Sequence, residues 1–425
     1  MRLMLAARPF RCVMAIAVVL LVTACGGRPP GVLVPVQAPD VPGTSKVSMI
    51  VATTRAKATT TTDMFSGERG KAPSFAEITV SLPPDAARQV GEVQWPRSVP
   101  GNPATDFVVT DAQDLSMPQA QAWLNRDVAK RPKHRVLVFI HGYNNRFDDA
   151  VFRFAQIVHD SGADVTPILF TWPSRGSLLA YGYDRESAVY SRDALETLLT
   201  ALNKDPAVGE ISVLAHSMGN WVTFEALRQM AIRNGRVLPK IKNIMLAAPD
   251  VDVDIFNSQW QDLGTPSPNV TIFVSQDDKA LRVSQRVWGS RARLGQIDPE
   301  QEPFRSEFEA RKINVYDLTK LNTPDGLNHG KFAESPEVVR MIGGRIAAQS
   351  TITDSREGVG DRIVQVTQGA ASAVGQAAGV VIAAPVAVVD SNTRDNLSSQ
   401  VENLGGTVSS TVHSTTNMMT TPPSQ

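Results

Sequence analysis

Cysteine is nearly missing from this chain of 425 residues: there are two, Cys12 and Cys25, both near the start. The rest has no thiol pair, which excludes a disulfide framework and a cysteine-based metal site. An excess of charge is missing too. Lys and Arg number 42, and so do Asp and Glu, so the balance gives no sign of a nucleic-acid partner. What the chain does have is apolar content, 42% of its residues. That is enough for one large domain with an ordinary core, plus tails.

The organisation follows from composition. Arg2, Arg8 and Arg11 precede an apolar stretch, Met14 to Val22, which is too short to span a bilayer. Thr23, Ala24 and Cys25 follow it. A basic start, a short apolar run and small residues make a secretory leader over 1–24. Val22-Thr23-Ala24-Cys25 resembles a bacterial lipobox, which implies that Cys25 is acylated and becomes the mature N-terminus. Acyl chains anchor a domain without a spanning helix. Gly26 stands where an aspartate would favour retention at the inner membrane, so the expectation is a cell-envelope protein held at the outer membrane. Residues 25–45 carry five prolines and several glycines and read as a linker. Residues 46–348 read as the folded domain. Over 349–425 Ser, Thr, Gly, Ala and Val dominate, and this segment reads as a disordered, low-complexity tail. Its apolar part, Gly369 to Val389, is broken by Pro385 and is a poor spanning helix.

Inside the domain, periodicities of 2 and 3.6 alternate. Strands are expected at Val47 to Ala52, Glu77 to Leu82, Arg135 to Ile140, Thr166 to Thr171, Ile211 to Leu214, Lys242 to Ala247, Val270 to Ser275 and Ile313 to Leu318. The first two are joined by a threonine-rich stretch and FSGERG. Helices are expected at Phe147 to His159, Asp184 to Leu202, Trp221 to Met230 and Pro336 to Ile346. Strands alternating with helices predict an α/β fold, with a mostly parallel sheet covered on both faces. Phe256 to Asn269, with Trp260, Leu263 and two prolines, is a candidate partial lid.

The most informative string is Ala215-His216-Ser217-Met218-Gly219, directly after an apolar strand. Strand, tight turn and helix with serine at the apex make a nucleophile elbow, which pushes the hydroxyl to where a base can reach it. Ala215 replaces the usual first glycine with the smallest side chain. A serine hydroxyl needs a base, and the base needs an orienting acid. In this topology acid and histidine follow the serine in that order. Only His329 and His413 lie after Ser217, and His413 is in the tail, which leaves His329 as base. His216 is too close in sequence to turn onto Ser217. Asp278 is the expected acid, at the end of a strand, with Asp277 beside it as alternative. Asp250, Asp252 and Asp254, after the preceding strand, are a second set. An oxyanion needs two N–H donors. Met218 supplies one, and Tyr143 or Asn144, in the HGYNN loop at 141–145, the other. The scheme calls for no metal or cofactor.

The combined pattern resembles a bacterial family of poorly characterised α/β-hydrolases of the esterase/lipase superfamily. FIHGYNNRFDDA at 139–150, FTWPSRG at 170–176, YDRESAVYSRDAL at 183–195, LAHSMGNWVTFEAL at 214–227 and LAAPDVD at 246–252 carry the resemblance, with VATTR from Val51 and FSGERG from Phe65. It implies an α/β-hydrolase fold and Ser217–Asp–His329 machinery, with no agreed substrate. Trp172, Pro173, Ser174, Tyr181, Tyr183 and Arg185 are expected to line or support the active-site rim, with plain packing as the alternative for each. The expected activity is hydrolysis of carboxylic esters, either a small-molecule or a lipid acyl ester, with the membrane met through lipidated Cys25. The alternatives are acyl transfer, thioester or amide hydrolysis by the same groups, or a non-catalytic envelope-binding lipoprotein.

Overall fold

A computed structural model describes residues 29–37, 41–288, 291–347 and 363–366. The leader, Cys25, His413 and most of the tail lie outside the described residues.

Ten strands form one sheet, in the order β10-β9-β8-β7-β6-β4-β5-β1-β2-β3. They are β1 Ser45–Lys57, β2 Phe65–Leu82, β3 Val108–Leu115, β4 Arg135–Ile140, β5 Thr166–Thr171, β6 Glu210–His216, β7 Ile241–Ala247, β8 Asn269–Val274, β9 Asn314–Asp317 and β10 Ile363–Gln365. From β10 to β1 every neighbouring pair is parallel, and only β1–β2 and β2–β3 are antiparallel. This is the mostly parallel sheet that the alternation predicts.

The helices are α1 Met117–Val128, α2 Phe147–Ser161, α3 Tyr181–Lys204, α4 Gly219–Asn234, α5 Val253–Gln261, α6 Lys279–Trp288, α7 Phe304–Arg311, α8 Lys331–Glu334 and α9 Pro336–Ala347. Side chains alternate across the strands, so one sequence run feeds two cores. Val136, Val138 and Ile140 join Val213, Ile244 and Ile272 beneath α1, α3, α4, α5 and α7. Leu137, Phe139, Leu214, Met245 and Phe273 join the opposite core, beneath α2, α8 and α9. Among the described residues no helix is long and apolar enough to cross a membrane.

Four expectations change. FSGERG is not a connector: Phe65–Gly70 is the first third of β2, paired to the end of β1. The linker assigned to 25–45 is partly packed, because Val32 and Leu33 are apolar enough to bury in the second core and Val36 N–H donates to Val109 O at 2.8 Å. In the tail, Ile363–Gln365 adds a parallel edge strand to β9. The lid candidate begins inside α5, where Phe256 and Leu263 are about 1% exposed and Trp260 packs on Phe256. That segment is anchored in the core.

Candidate active site

Ser217 stands between β6 and α4 with φ 52°, left-handed backbone that a residue bearing a Cβ rarely adopts. Such strain costs of order 1–3 kcal/mol and persists only where the surroundings over-determine it. Here they do. Ser217 N–H donates to Ala247 O (2.9 Å). Its carbonyl accepts from the N–H groups of Asn220 (3.1 Å) and Asp250 (3.2 Å), and from Asn220 Nδ2 (2.9 Å). Two glycines let the β4 loop lie on the elbow. A Cβ at Gly219 would come 2.7 Å from Ile140 O, and one at Gly142 would come 2.8 Å from Ser217 Cβ.

His329 lies in the loop between β9 and α8. The Asp325 carboxylate ties that loop by accepting from the N–H groups of Leu327 (2.9 Å), His329 (2.7 Å) and Gly330 (3.0 Å). His329 Nδ1 donates to Asp278 Oδ2 at 2.6 Å, and the fully buried Asp278 holds its other oxygen on Leu281 N–H at 2.9 Å. Burial alone would lower the His329 pKa, but the Asp278 carboxylate, with Asp250 and Asp325 behind it, outweighs this and raises it. The His329 ring packs on His216, centroids 4.7 Å apart, and His216 stacks on Phe332 at 4.5 Å. Burial, then the His329 charge, depress the His216 pKa well below the usual histidine range. His216, adjacent to the serine, is thus a neutral wall that sets the plane of its neighbour. No hydrogen bond joins the Ser217 hydroxyl to His329. Such contacts are often loose without substrate and tighten in the complex.

The other sequence-derived candidates separate by environment. Asp277 faces away from the ring. It binds Lys331 Nζ at 2.8 and 3.0 Å and Asn328 Nδ2 at 2.9 Å, clamping both ends of the histidine loop. Asp250 accepts from Tyr181 OH (2.8 Å) and Ser284 Oγ (2.7 Å), with Arg293 Nε at 3.5 Å. Asp252 caps α5 through the N–H groups of Asp254 and Ile255. Asp254 is exposed, 3.6 Å from Arg291. Of the five, Asp278 alone reaches the imidazole.

Among the candidate oxyanion donors, the N–H groups of Met218 and Tyr143 make no hydrogen bond to any described residue, whereas Asn144 N–H points to Asp184 Oδ2 at 3.4 Å. The Asn144 N–H is thus taken up by a buried carboxylate, which leaves Tyr143 for the role. The Tyr143 ring packs edge-on against Tyr181, centroids 5.0 Å apart, and its hydroxyl donates to Leu178 O at 2.5 Å. Trp172 and Ser174, fully buried, support this loop from beneath. Tyr183 and Arg185 carry ring contacts instead, under Arg175 and over Trp221 respectively.

The sequence reading assigned no role to the buried polar scaffold under the HGYNN loop. Arg55, about 1% exposed, sits in β1 between two register irregularities that turn it inward. Its guanidinium donates to Thr171 Oγ1 (2.8 Å), Ser66 O (3.1 Å), Ser174 O (2.8 Å) and Asn145 O (2.9 Å), and lies 3.4 Å from His141 Nε2. Burial lowers its pKa to about 10, against the pull of Asp184 and Asp148, so it is a cation at neutral pH. His141 responds. Burial and then the Arg55 charge lower its pKa to about 3. Its Nε2 accepts from Trp172 N–H (3.2 Å), so Nδ1 carries the proton and donates to Gly142 O (2.9 Å). Asp184, in the first turn of α3, accepts from Ser174 Oγ (2.6 Å) and Arg175 N–H (3.0 Å). The signal was present in VATTR: an arginine closing an apolar run must bury its charge or turn out.

An apolar cavity of about 420 Å³ lies elsewhere, between β1, β5, α1 and α3, with Ile50, Phe75, Leu124, Phe170 and Leu198 in its walls. None of the residues discussed above as nucleophile, base, acid or oxyanion donor lines it, so size does not mark the chemistry here.

The family model described as "Alpha/beta hydrolase of unknown function (DUF900)" matches residues 116–345. An uncharacterized protein of Nostoc sp. is 25% identical over 131 residues, which are 25% of this chain and 34% of that protein; the chain spans about a third of that relative's length. Two solved structures are similar. One is a lipase-esterase related protein from Clostridium acetobutylicum, with 11% identity, 50% of this chain and 93% of that chain covered, and TM-score 0.29. The other is a hyperthermophilic esterase from the archaeon Pyrobaculum calidifontis, with 13% identity, 72% and 86% covered, and TM-score 0.29. Strand order and the family match, rather than these two likenesses, carry the fold assignment.

Removing the Arg55 side chain strands several buried acceptors at once, each costing about 1–3 kcal/mol. Arg55→Ala is expected to destabilise the domain by roughly 3–5 kcal/mol in denaturant unfolding, far more than truncating an exposed arginine such as Arg236.

Proposed function

Because the chain belongs to the DUF900 family, α/β-hydrolases of unknown function, we propose that it is a serine hydrolase of carboxylic esters that works in the cell envelope. The observation that carries the reading is a strained serine at an elbow whose neighbour His216 packs, at 4.7 Å between ring centroids, on a histidine that a buried carboxylate holds at 2.6 Å. His329 accepts the Ser217 proton at Nε2, because Nδ1 is committed to Asp278. Ser217 Oγ attacks the ester carbonyl, and the oxyanion takes the free N–H groups of Met218 and Tyr143. His329 then returns the proton to the leaving alcohol, giving an acyl-enzyme, and water activated by the same imidazole releases the acid. Asp278 fixes the tautomer and stabilises the imidazolium. The family's lack of an assigned substrate leaves the acyl group to experiment. Chromogenic esters, thioesters and amides, with an added acyl acceptor, separate ester hydrolysis from the other leaving groups and from acyl transfer.

The envelope placement rests on the leader and on Cys25, outside the described residues. Metabolic labelling with a palmitate analogue is expected to tag the wild-type chain and to be lost in Cys25→Ser. Label that persists in the variant would remove the anchor from this account.

A fluorophosphonate probe is expected to label the protein, and Ser217→Ala is expected to end both labelling and turnover, with a loss of about 10⁶-fold. Labelling that survives the substitution overturns the nucleophile.

The base must be neutral to act, so kcat/KM is expected to rise with pH, with a midpoint above histidine's ordinary 6.5, since the His329 pKa is raised. Asp278→Asn removes the main charge behind that rise. It is expected to move the midpoint down and cut kcat by roughly 10⁴-fold. A midpoint that stays put in this variant would sink the acid assignment.

A further inference from the structure

Single exposed hydrophobic residues are ordinary; a cluster around a site is not. Five of the eleven exposed large hydrophobic residues among those described gather beside the candidate site. Leu178 and Leu179, 72% and 98% exposed, form the tip of the 3-10 turn Leu178–Ala180 before α3. Tyr143 OH holds the Leu178 carbonyl, so this tip is tied to the oxyanion loop. Val283 and Val287, 58% and 63% exposed, lie one turn apart on the outward side of α6. That helix starts directly after Asp278, and its buried Ser284 meets Tyr181 OH at 3.0 Å, next to the leucine tip. Leu327, 50% exposed, precedes His329 by two positions, and its carbonyl accepts from Lys279 N–H at 2.9 Å. Hydrogen bonds therefore link all three patches to one another and to the loops that carry the base and the oxyanion donor.

Charge completes the pattern. The outward side of α6 interleaves its two valines with the exposed Lys279, Arg282 and Arg286, and α6 has no acidic residue. Its inward side buries Leu281 and Ser284. Exposed apolar side chains flanked by long cations suit the boundary between acyl chains and anionic headgroups, where the apolar groups enter and the cations reach phosphate. A soluble protein partner would not require cations alone.

We propose that the mouth of the site docks on an anionic lipid surface, Leu178 and Leu179 entering on one side and Val283 and Val287 on the other. Acyl esters then reach Ser217 from a bilayer rather than from solution. The substrate class rests on the Ser217 reading, whereas the docking surface stands apart from it.

The test uses the full chain with Cys12→Ser and Cys25→Ser, so that a polarity-sensitive dye attaches only where a cysteine is added. Leu179→Cys, Val287→Cys and the remote, exposed Ile232→Cys are labelled in turn. With vesicles of phosphatidylcholine and phosphatidylglycerol, dyes at 179 and 287 are expected to shift to the blue and to resist an aqueous quencher, while the dye at 232 stays wet. Any other membrane attachment acts on all three equally. Arg282→Glu with Arg286→Glu is expected to weaken vesicle affinity roughly tenfold or more. Dyes at 179 and 287 that behave like the one at 232, or an affinity indifferent to the two charge reversals, overturn the proposal. Dye insertion without fluorophosphonate labelling keeps the docking surface and discards the serine; labelling with wet dyes does the reverse.

Discussion

The guanidinium of Arg55 is the constraint on which the candidate site leans. It is buried without a carboxylate in contact, and its partners are a hydroxyl and three backbone carbonyls on β2, the β4 loop and the β5 loop. A charge is costly to bury, and satisfying every donor is what makes it tolerable. The carbonyls it binds can turn away only by abandoning it. So a single side chain near the start of the domain fixes the relative positions of Ser174 and Asn145, which lie in the WPSRG and HGYNN loops respectively. Burial, then the Arg55 charge, hold His141 neutral, and Trp172 N–H on its Nε2 settles the tautomer that pins Gly142. The close approach of Gly142 to Ser217 Cβ follows from that pin.

Carboxylates show how environment sorts one residue type into several roles. Asp278 is fully buried with one imidazole and one N–H. Asp277, its neighbour, points to the opposite side of the strand end and binds the ammonium of the nearly buried Lys331. Asp325 is a backbone tie, Asp252 a cap and Asp184 a buttress under the loop opposite. Only an acid that touches Nδ1 can select the tautomer with Nε2 free, and the turn after β8, closed by Asp278 N–H on Ser275 O at 3.1 Å, decides which of two consecutive aspartates does so.

Fold and elbow were legible because both rest on local pattern. The alternation of Val136, Val138 and Ile140 against Leu137 and Phe139 announces a strand buried on both faces, and Ala215-His216-Ser217-Met218-Gly219 announces a turn with small residues at its crowded positions. The reading faltered where long-range contacts decide. FSGERG looks like a connector by composition, yet cross-strand pairing to β1 makes it strand. Glycines fit there because a Cβ at Gly67 would come 2.8 Å from Arg175 Cα and one at Gly70 2.7 Å from Arg55 O, and the exposed Glu68 pairs with Arg175. Phe256 and Leu263 looked like a lid because their stretch holds prolines, but burial in the core outweighed local irregularity. The choice between Tyr143 and Asn144 depended on where one N–H points, which spacing does not encode.

The two candidate oxyanion donors sit on separate segments, the elbow and the β4 loop, and their spacing has to be maintained by something other than chain continuity. Asp250 supplies that link. Its N–H holds the Ser217 carbonyl, while its carboxylate holds Tyr181 OH, whose ring braces Tyr143 edge-on. Burial, then the Asp250 charge, push the Tyr181 hydroxyl far above its usual range, so it remains a donor at neutral pH. Serine strain, oxyanion spacing and imidazole charge thus meet at Asp250, whose N–H is on the Ser217 carbonyl, whose carboxylate is on Tyr181 and whose charge helps to raise the His329 pKa.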